Sequence, residues 1–193
     1  MGKKDEIFGN GVDFSSRFVS DYEKLSEMAD DWKKQGVKVV LTSGSFDLLH
    51  IGHAQYLTEA KKRGDILVVG IDDDEKTKAR KGSNRPVVPE NERFRMLAYL
   101  RPVDVIVPKG LGQPSLHLLK TVRPDVLIIS ETTNHSDKRI KNMEWFCGEI
   151  KMLPPQATTS TSAKIRKLFT QGVSDFAEKA TKAINGLLRE MTT

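Results

Sequence analysis

Five short runs of nearly unbroken apolar residues, each followed by a stretch with helical spacing, restrict this chain more than any other feature of its sequence. The runs lie at 37–41, 66–71, 103–107, 126–129 and, more weakly, 150–153. They have strand length and β-branched character. Between the later ones lie amphipathic patterns at 54–63, 90–100, 115–122 and 137–147. A strand that is apolar on both faces must be covered on both, and in an alternating chain the helices supply the cover. Right-handed crossovers then give a doubly wound α/β domain: a five-stranded parallel sheet, helices on both faces, and ligands beyond the carboxyl ends of the strands.

A further helix precedes the first strand. It opens at Asp21, sets Leu25, Met28, Ala29 and Trp32 on one stripe, and stops at Gly36. Residues 1–20 are polar and without period and read as a flexible arm, 21–172 as the main domain, and 173–193 as an appended helix. In that last segment Phe176, Ala180, Ala183, Ile184, Leu187 and Leu188 keep a 3.6-residue period. Such a helix could close over a site, cover a sheet edge or form a homodimer contact, and the sequence does not choose among these.

At 193 residues the chain can bury a core without disulfides and is too short for a two-enzyme fusion. No run approaches the roughly 18 apolar residues of a membrane span, and the opening Met-Gly-Lys-Lys-Asp-Glu is not a secretory signal. A cytoplasmic protein away from membranes is therefore expected. The single cysteine, Cys147, can make no internal disulfide and is no metal cluster. A net charge of +5 suits an enzyme of phosphorylated substrates as well as a weak nucleic-acid binder. Only 7% of residues are aromatic, without interleaving among the basic ones, so nucleic acid is not expected as a partner.

The first strand leads straight into Gly44-Ser45-Phe46-Asp47-Leu48-Leu49-His50-Ile51-Gly52-His53 and then a helix. Gly44 lets the backbone approach a ligand closely. Unpaired N–H groups at the helix start make an anion site. His50 and His53, three apart in the first turn, face the same way, and Gly52 leaves room for a phosphate chain. Two imidazoles and a helix N-terminus aimed at one point suit charge building on a phosphoryl group under attack. The plainer alternatives are histidines that merely end a helix or sit in a core. A zinc site would need ligands that His117, His135 and Cys147 do not supply in suitable spacing.

This decapeptide resembles the signature of the cytidylyltransferase-like nucleotidylyltransferases, whose His-x-Gly-His element the class I aminoacyl-tRNA synthetases share. The synthetases also carry a Lys-Met-Ser-Lys-Ser loop, which Lys151-Met152-Leu153-Pro154 does not provide. The resemblance runs from about Val37 to Val107. Lys78-Ala79-Arg80-Lys81-Gly82, Arg85-Pro86-Val87, Glu92-Arg93 and Leu100-Arg101-Pro102-Val103-Asp104 are most similar to the adenylyltransferase domain of ADP-heptose synthases. Glycerol-3-phosphate cytidylyltransferases and archaeal FAD synthetases share fewer of these residues. A Rossmann-like fold is implied.

The stretch 76–85 holds five basic residues and no acidic one, and the bland reading is a solvated loop. The resemblance implies instead that Lys81 is catalytic and that Lys78 lies over the triphosphate. It also implies that Ser43, Gly44, Ser45, Phe46, Gly52 and Arg93 border the nucleotide, although Arg93 could simply pair with Glu90 or Glu92. Asp47 and Arg85 are expected on the acceptor side, with Asp47 fixing its loop rather than acting as a base. Near the end, Thr158-Thr159-Ser160-Thr161-Ser162-Ala163-Lys164-Ile165-Arg166 could be a helix N-cap. It also resembles the family's phosphate-holding hydroxyl signature. The register that buries Ile165 and Phe169 assigns Thr161, Ser162 and Arg166 to phosphate. After the fourth strand, Ser130-Glu131-Thr132-Thr133-Asn134 departs from the relatives' Lys-Gly-Gly-Asp or Met-Gly-Asp, so Ser130 and Glu131 are expected to border an altered acceptor or base pocket.

The reaction implied is attack by a phosphorylated small-molecule acceptor on the α-phosphate of an NTP, with pyrophosphate leaving. ATP and a heptose 1-phosphate are favoured, and CTP with glycerol phosphate, or ATP with FMN, are alternatives. His50 and His53 are expected to stabilise the developing charge. Mg²⁺ arrives with the NTP, with no protein side chain assigned to it. The chain is expected to act without a fused kinase domain. A regulator that binds nucleotide without turnover is the reading from another class.

Overall fold

The computed structural model describes residues 14–133, 135–157 and 161–190, with the side chains at 161, 162, 164 and 183–190 left out. Five parallel strands form one sheet: β1 (Val39–Gly44), β2 (Ile66–Asp72), β3 (Val105–Lys109), β4 (Val126–Ser130) and β5 (Glu149–Leu153). Their order is β3-β2-β1-β4-β5. β1 is thus central, with β2 in register on one side (Val39 opposite Ile66) and β4 on the other (Val40 opposite Val126). The chain winds outward from β1 to β3, then returns to lay down β4 and β5. That reversal leaves a crevice beyond the carboxyl ends of β1 and β4, where a doubly wound sheet receives its ligand.

Alternation along the strands divides the core into two layers. Val39 and Leu41 of β1, with Ile66 and Val68 of β2, pack with Leu25, Ala29 and Trp32 of α2 (Tyr22–Lys34). Leu118 and Leu119 of α6 (His117–Val122) join the same layer. Val40, Leu67, Val69 and Ile71 face the other way, onto Leu57 and Ala60 of α3 (Ile51–Lys61) and Phe94 and Leu97 of α5 (Glu90–Ala98). Every residue of β2 is buried, as a strand covered on both faces requires. Asp21 caps α2 by accepting from the N–H groups of Glu23 and Lys24, and Gly36 beyond its end takes φ +68°.

Two elements differ from the sequence expectation. A short helix α1 (Phe14–Arg17) and a bridge from Phe18 to Ile106 lie within the residues expected to form an arm; Phe14 and Phe18 pack against the second core layer, and the Arg17 guanidinium donates to the carbonyls of Ala98 and Val103. The charged stretch read as a loop opens as helix α4 (Asp74–Lys81), capped by Asp73, acidic in its first turn and basic in its last. Only Thr77 of α4 is buried, so it has no apolar stripe to announce it, and its charge order follows the helix dipole instead. After α7 (Asp137–Glu144) and β5, the chain divides into two compact units, the second beginning at Thr159. That unit contains one helix, α8 (Thr161–Glu190), which runs through Gly172 without a break.

Candidate active site

Beyond β1 the backbone takes two sharp turns in the left-handed region, at Phe46 (φ +47°) and Leu48 (φ +48°). Bulky residues adopt that region at a cost of roughly 1–3 kcal/mol each, and such strain is held only where surrounding contacts fix it. Phe46 is buried, its ring edge-on to His53 with centroids 5.5 Å apart. His50 then caps α3 from an extended conformation, and its Nδ1 accepts the N–H of Gly52 at 3.1 Å. An accepting Nδ1 puts the proton of the neutral ring on Nε2. The two imidazoles lie 4.0 Å apart, centroid to centroid, inclined by 31°.

Gly52 serves differently from expectation. A Cβ there would stand 3.0 Å from His50 Cε1 and 3.1 Å from Ala157 Cβ, so the imidazole takes the space that a phosphate chain was expected to fill. The Gly52 N–H, expected to be open to an anion, is likewise spent on His50. The glycine sets the histidine.

On the β2 side the edge is wired through buried charge. Asp47 is 2% exposed; its carboxylate accepts from the N–H groups of Val87 and Val88 at 3.0–3.1 Å and pairs with Arg85 at 2.7 Å. Asp47 and Arg85, both expected on the acceptor side, are thus brought together. Asp47 fixes its loop as anticipated. Arg93 corrects its expectation. It is 1% exposed and donates to the carbonyls of Val88, Ser45 and Asp72 and to the Asp74 carboxylate. Four of its five N–H groups are committed to the protein, so it positions the loop and α4 rather than touching a nucleotide. Neither Glu90 nor Glu92 is its carboxylate partner; Asp74 is.

Lys81, at the end of α4, donates to Ser45 Oγ at 2.5 Å and so reaches the loop that carries the histidines. Partial burial lowers its pKa, helped by the positive charges of Arg85 and Arg80. Lys78 lies one turn earlier and is exposed. Asp72 and Lys109, not singled out in the sequence, complete this half together with Arg80. Asp72, wholly buried at the end of β2, pairs with Arg80 and with Lys109 at 3.2 Å. Burial alone would raise the Asp72 carboxyl, but Lys109 and Arg80 outweigh it and hold it below its ordinary value. Burial pushes the Lys109 ammonium down against the pull of Asp72.

At the β4 end the residues form a turn. Ser130 Oγ shares a hydrogen bond with Thr132 Oγ1 at 2.8 Å, the Thr133 N–H donates to the Ser130 carbonyl, and Glu131 is exposed. Asn134 lies outside the described residues, as do Thr158, Thr159 and Ser160. Thr161 and Ser162 begin α8, but their side chains are also outside the description. Arg166 is exposed and Ile165 half-buried. Phe169 is 72% exposed, so the burial argument that chose the register of this signature does not hold.

Comparison with known proteins adds kinship to this geometry. The cytidylyltransferase-like family matches residues 41–168, which take in the loop, both histidines, α4 and all strands beyond β1. The chain belongs to the cytidylyltransferase-like family. Its Rossmann-like sheet and its place among nucleotidyltransferase enzymes follow from that membership. It is 40% identical over 171 residues to the Bifunctional protein HldE of Campylobacter fetus, covering 87% of this chain and 36% of that one. The same-named protein of a Nitratiruptor species is 40% identical over 114 residues, covering 59% of this chain and 24% of its own length. The chain thus spans about a third or less of the curated relatives it matches. Among solved structures, a lipopolysaccharide core biosynthesis protein of Thermoplasma volcanium superposes with a TM-score of 0.54 at 29% identity, covering 61% of this chain and 97% of that one. A pantoate-beta-alanine ligase of Francisella tularensis, at 17% identity and TM-score 0.54 over 76% of this chain and 69% of its own, shares the fold.

Among the described residues no group of three or more His, Cys, Asp or Glu is placed to hold a metal ion, and no helix is long and apolar enough to cross a membrane.

Proposed function

We propose that the chain transfers a nucleoside monophosphate, AMP from ATP, to a phosphorylated sugar of the heptose 1-phosphate class. The observation that carries this reading is the close, tilted His50–His53 pair at the α3 N-terminus, beside the Lys81–Ser45 contact. The acceptor's phosphate oxygen forms a bond to the α-phosphorus, the bond from that phosphorus to the bridging oxygen breaks, and pyrophosphate leaves. Both reactants bring their own nucleophile and leaving group, so the protein's work is positioning and charge stabilisation. His50, with Nδ1 occupied, offers Nε2–H to the phosphoryl oxygens. His53 stands beside it. Lys81, with Lys78 in the same service, neutralises the departing pyrophosphate. The divalent cation enters as part of the Mg²⁺–NTP substrate, held by the triphosphate's own oxygens.

ATP and a heptose phosphate are favoured by the resemblance to the adenylyltransferase domain of ADP-heptose synthases and by kinship with the HldE proteins. Ser130 and Glu131 border the half of the crevice that reads the acceptor or base. The test is a pyrophosphate-release screen of ATP, CTP, GTP and UTP against sugar 1-phosphates, glycerol phosphate and FMN. Release with ATP and a heptose 1-phosphate is expected. Release only with CTP and glycerol phosphate, or only with ATP and FMN, replaces the acceptor assignment. Nucleotide binding without release from any pair makes the chain a regulator.

A further inference from the structure

Helix α4 has eight residues, and isolated helices shorter than roughly 12–15 residues do not persist in water. Most surface helices are held down by an apolar stripe, whereas this one buries Thr77 alone. Polar ties take the place of the stripe, and they are unevenly spread. In the first turn Asp73 caps the helix, the Asp74 carboxylate takes Arg93 at 2.8 Å, and the Asp74 N–H donates to Glu90 Oε2 at 2.7 Å. Lys76 Nζ adds a bond to the Gly110 carbonyl at 3.0 Å. In the last turn the tie to the sheet is the guanidinium of Arg80, which pairs with the Asp72 carboxylate. Asp72 is a firm anchor: it is wholly buried at the end of β2, and its other oxygen holds Lys109 at 3.2 Å. The residue after Arg80 is Lys81. Beyond it Gly82 ends the helix at φ +100°, and 82–84 are exposed.

We propose that Arg80 is a positioning residue: by gripping Asp72 it sets the rotation of the last turn of α4 and so aims Lys81 at the loop that carries the histidines. Neighbouring side chains on a helix leave its axis about 100° apart, so an anchored Arg80 fixes the direction in which Lys81 departs. Lys81 cannot supply this anchor itself. Its hold on the loop is the 2.5 Å bond to Ser45 Oγ, and a phosphate competes for that same ammonium. The Arg80–Asp72 pair lies on the sheet side of the helix end and stays made when Lys81 turns to phosphate. A displacement of about 1 Å at a group that must meet a reacting phosphate costs up to roughly a hundredfold in rate, so the aim of this lysine matters. The inference rests on the service assigned to Lys81 above. Arg80 is 49% exposed, and the rival role for it is direct contact with the triphosphate.

The test uses the full chain and two readouts. Arg80→Ala should keep a urea midpoint near the parent, because Asp72 retains Lys109 and alanine favours a helix. Its NTP KM should rise roughly five- to tenfold, and Arg80→Lys should recover part of the loss. In a Lys81→Ala background the same change should add less than about twofold, since no lysine is left to place. A full further loss in that background makes Arg80 a phosphate ligand or a support of the fold, and overturns the inference. The second readout needs no turnover: NMR titration of Lys81 through isotope-labelled methyl groups on the lysines, its signal assigned by disappearance in Lys81→Ala. Arg85 and Arg80 face this ammonium as cations, and Asp47 and Asp72 as carboxylates. Removing Arg80 takes away one repelling charge and opens the last turn to water, so the Lys81 titration should move up toward the ordinary lysine range. Arg80→Lys should hold it near the parent. An unmoved titration in Arg80→Ala overturns the inference. A parent that releases no pyrophosphate with any substrate pair removes the reaction proposed above, while this titration still decides whether Arg80 acts on Lys81.

Discussion

At one carboxyl edge of the sheet, the ends of β1 and β2 are tied together by buried charge, while the end of β4 closes in a turn of hydroxyls at the surface. The first half holds Asp47, Arg93 and Asp72, each 2% exposed or less and each bonded to groups distant in sequence. The second holds Ser130 and Thr132, bonded to each other, and Glu131, which is exposed. A preorganised half lowers the cost of aligning charge at a reacting phosphorus. A loosely tied turn can change residues without disturbing that alignment. The contrast suggests that the phosphoryl-transfer machinery sits in the wired half and the choice of substrate in the other.

The hardest blow to the wired half is Arg93→Ala. It leaves the buried Ser45 and Asp72 carbonyls, the partly buried Val88 carbonyl and the half-exposed Asp74 carboxylate without their donor, and each buried acceptor left unsatisfied costs about 1–3 kcal/mol. Urea unfolding should show that loss, with Arg93→Lys recovering part of it. His50→Ala and His53→Ala come next: kcat should fall roughly a hundredfold, about 2.7 kcal/mol, with the urea midpoint close to the parent for His53→Ala and stability lowered by about 1 kcal/mol for His50→Ala, which also removes the cap of α3. Lys81→Ala should raise the NTP KM about tenfold. Because burial and the neighbouring arginines depress Lys81, its cationic form is lost on raising pH at a lower value than for a free lysine. The alkaline limb of kcat/KM should therefore lie below the ordinary lysine range, and Lys81→Arg should move it upward. An unmoved limb assigns that titration to another group.

The smallest effects test the other half. Glu131→Gln keeps the shape and removes the charge. A few-fold change in acceptor KM with the ATP KM unaltered supports acceptor reading by this turn, whereas a change confined to ATP gives the turn to the base. Lys62→Ala, which removes only a surface pair with Glu59, should change nothing.

What the sequence made legible follows the same division. The first four strands could be read because burial writes continuous apolar runs, β5 only weakly because it is an edge strand with Leu153 alone buried, and the histidines could be read because they are three apart in a helix's first turn. Helix α4 was not, since only Thr77 of it is buried; its signal was Asp73 before it, acids in the first turn and bases in the last. The role of Arg93 is not legible in the sequence because its partners at residues 45, 72 and 88 are all backbone carbonyls, which any residue possesses. Charge alone does not reveal that an arginine is spent inside. Asp47 and Arg85 were both seen, but their pairing across 38 positions is a product of the fold.

The central claim, that this edge moves a nucleotidyl group rather than a terminal phosphoryl group, is tested most directly by where isotope goes. Incubated with a heptose 1-phosphate and ATP labelled at the α-phosphate, the protein should place the label in the sugar nucleotide; with γ-labelled ATP, the label should leave entirely in pyrophosphate. Both transfers should drop together in His50→Ala and His53→Ala. Appearance of the γ label on the sugar, or transfer of the α label that survives loss of both histidines, would contradict the account.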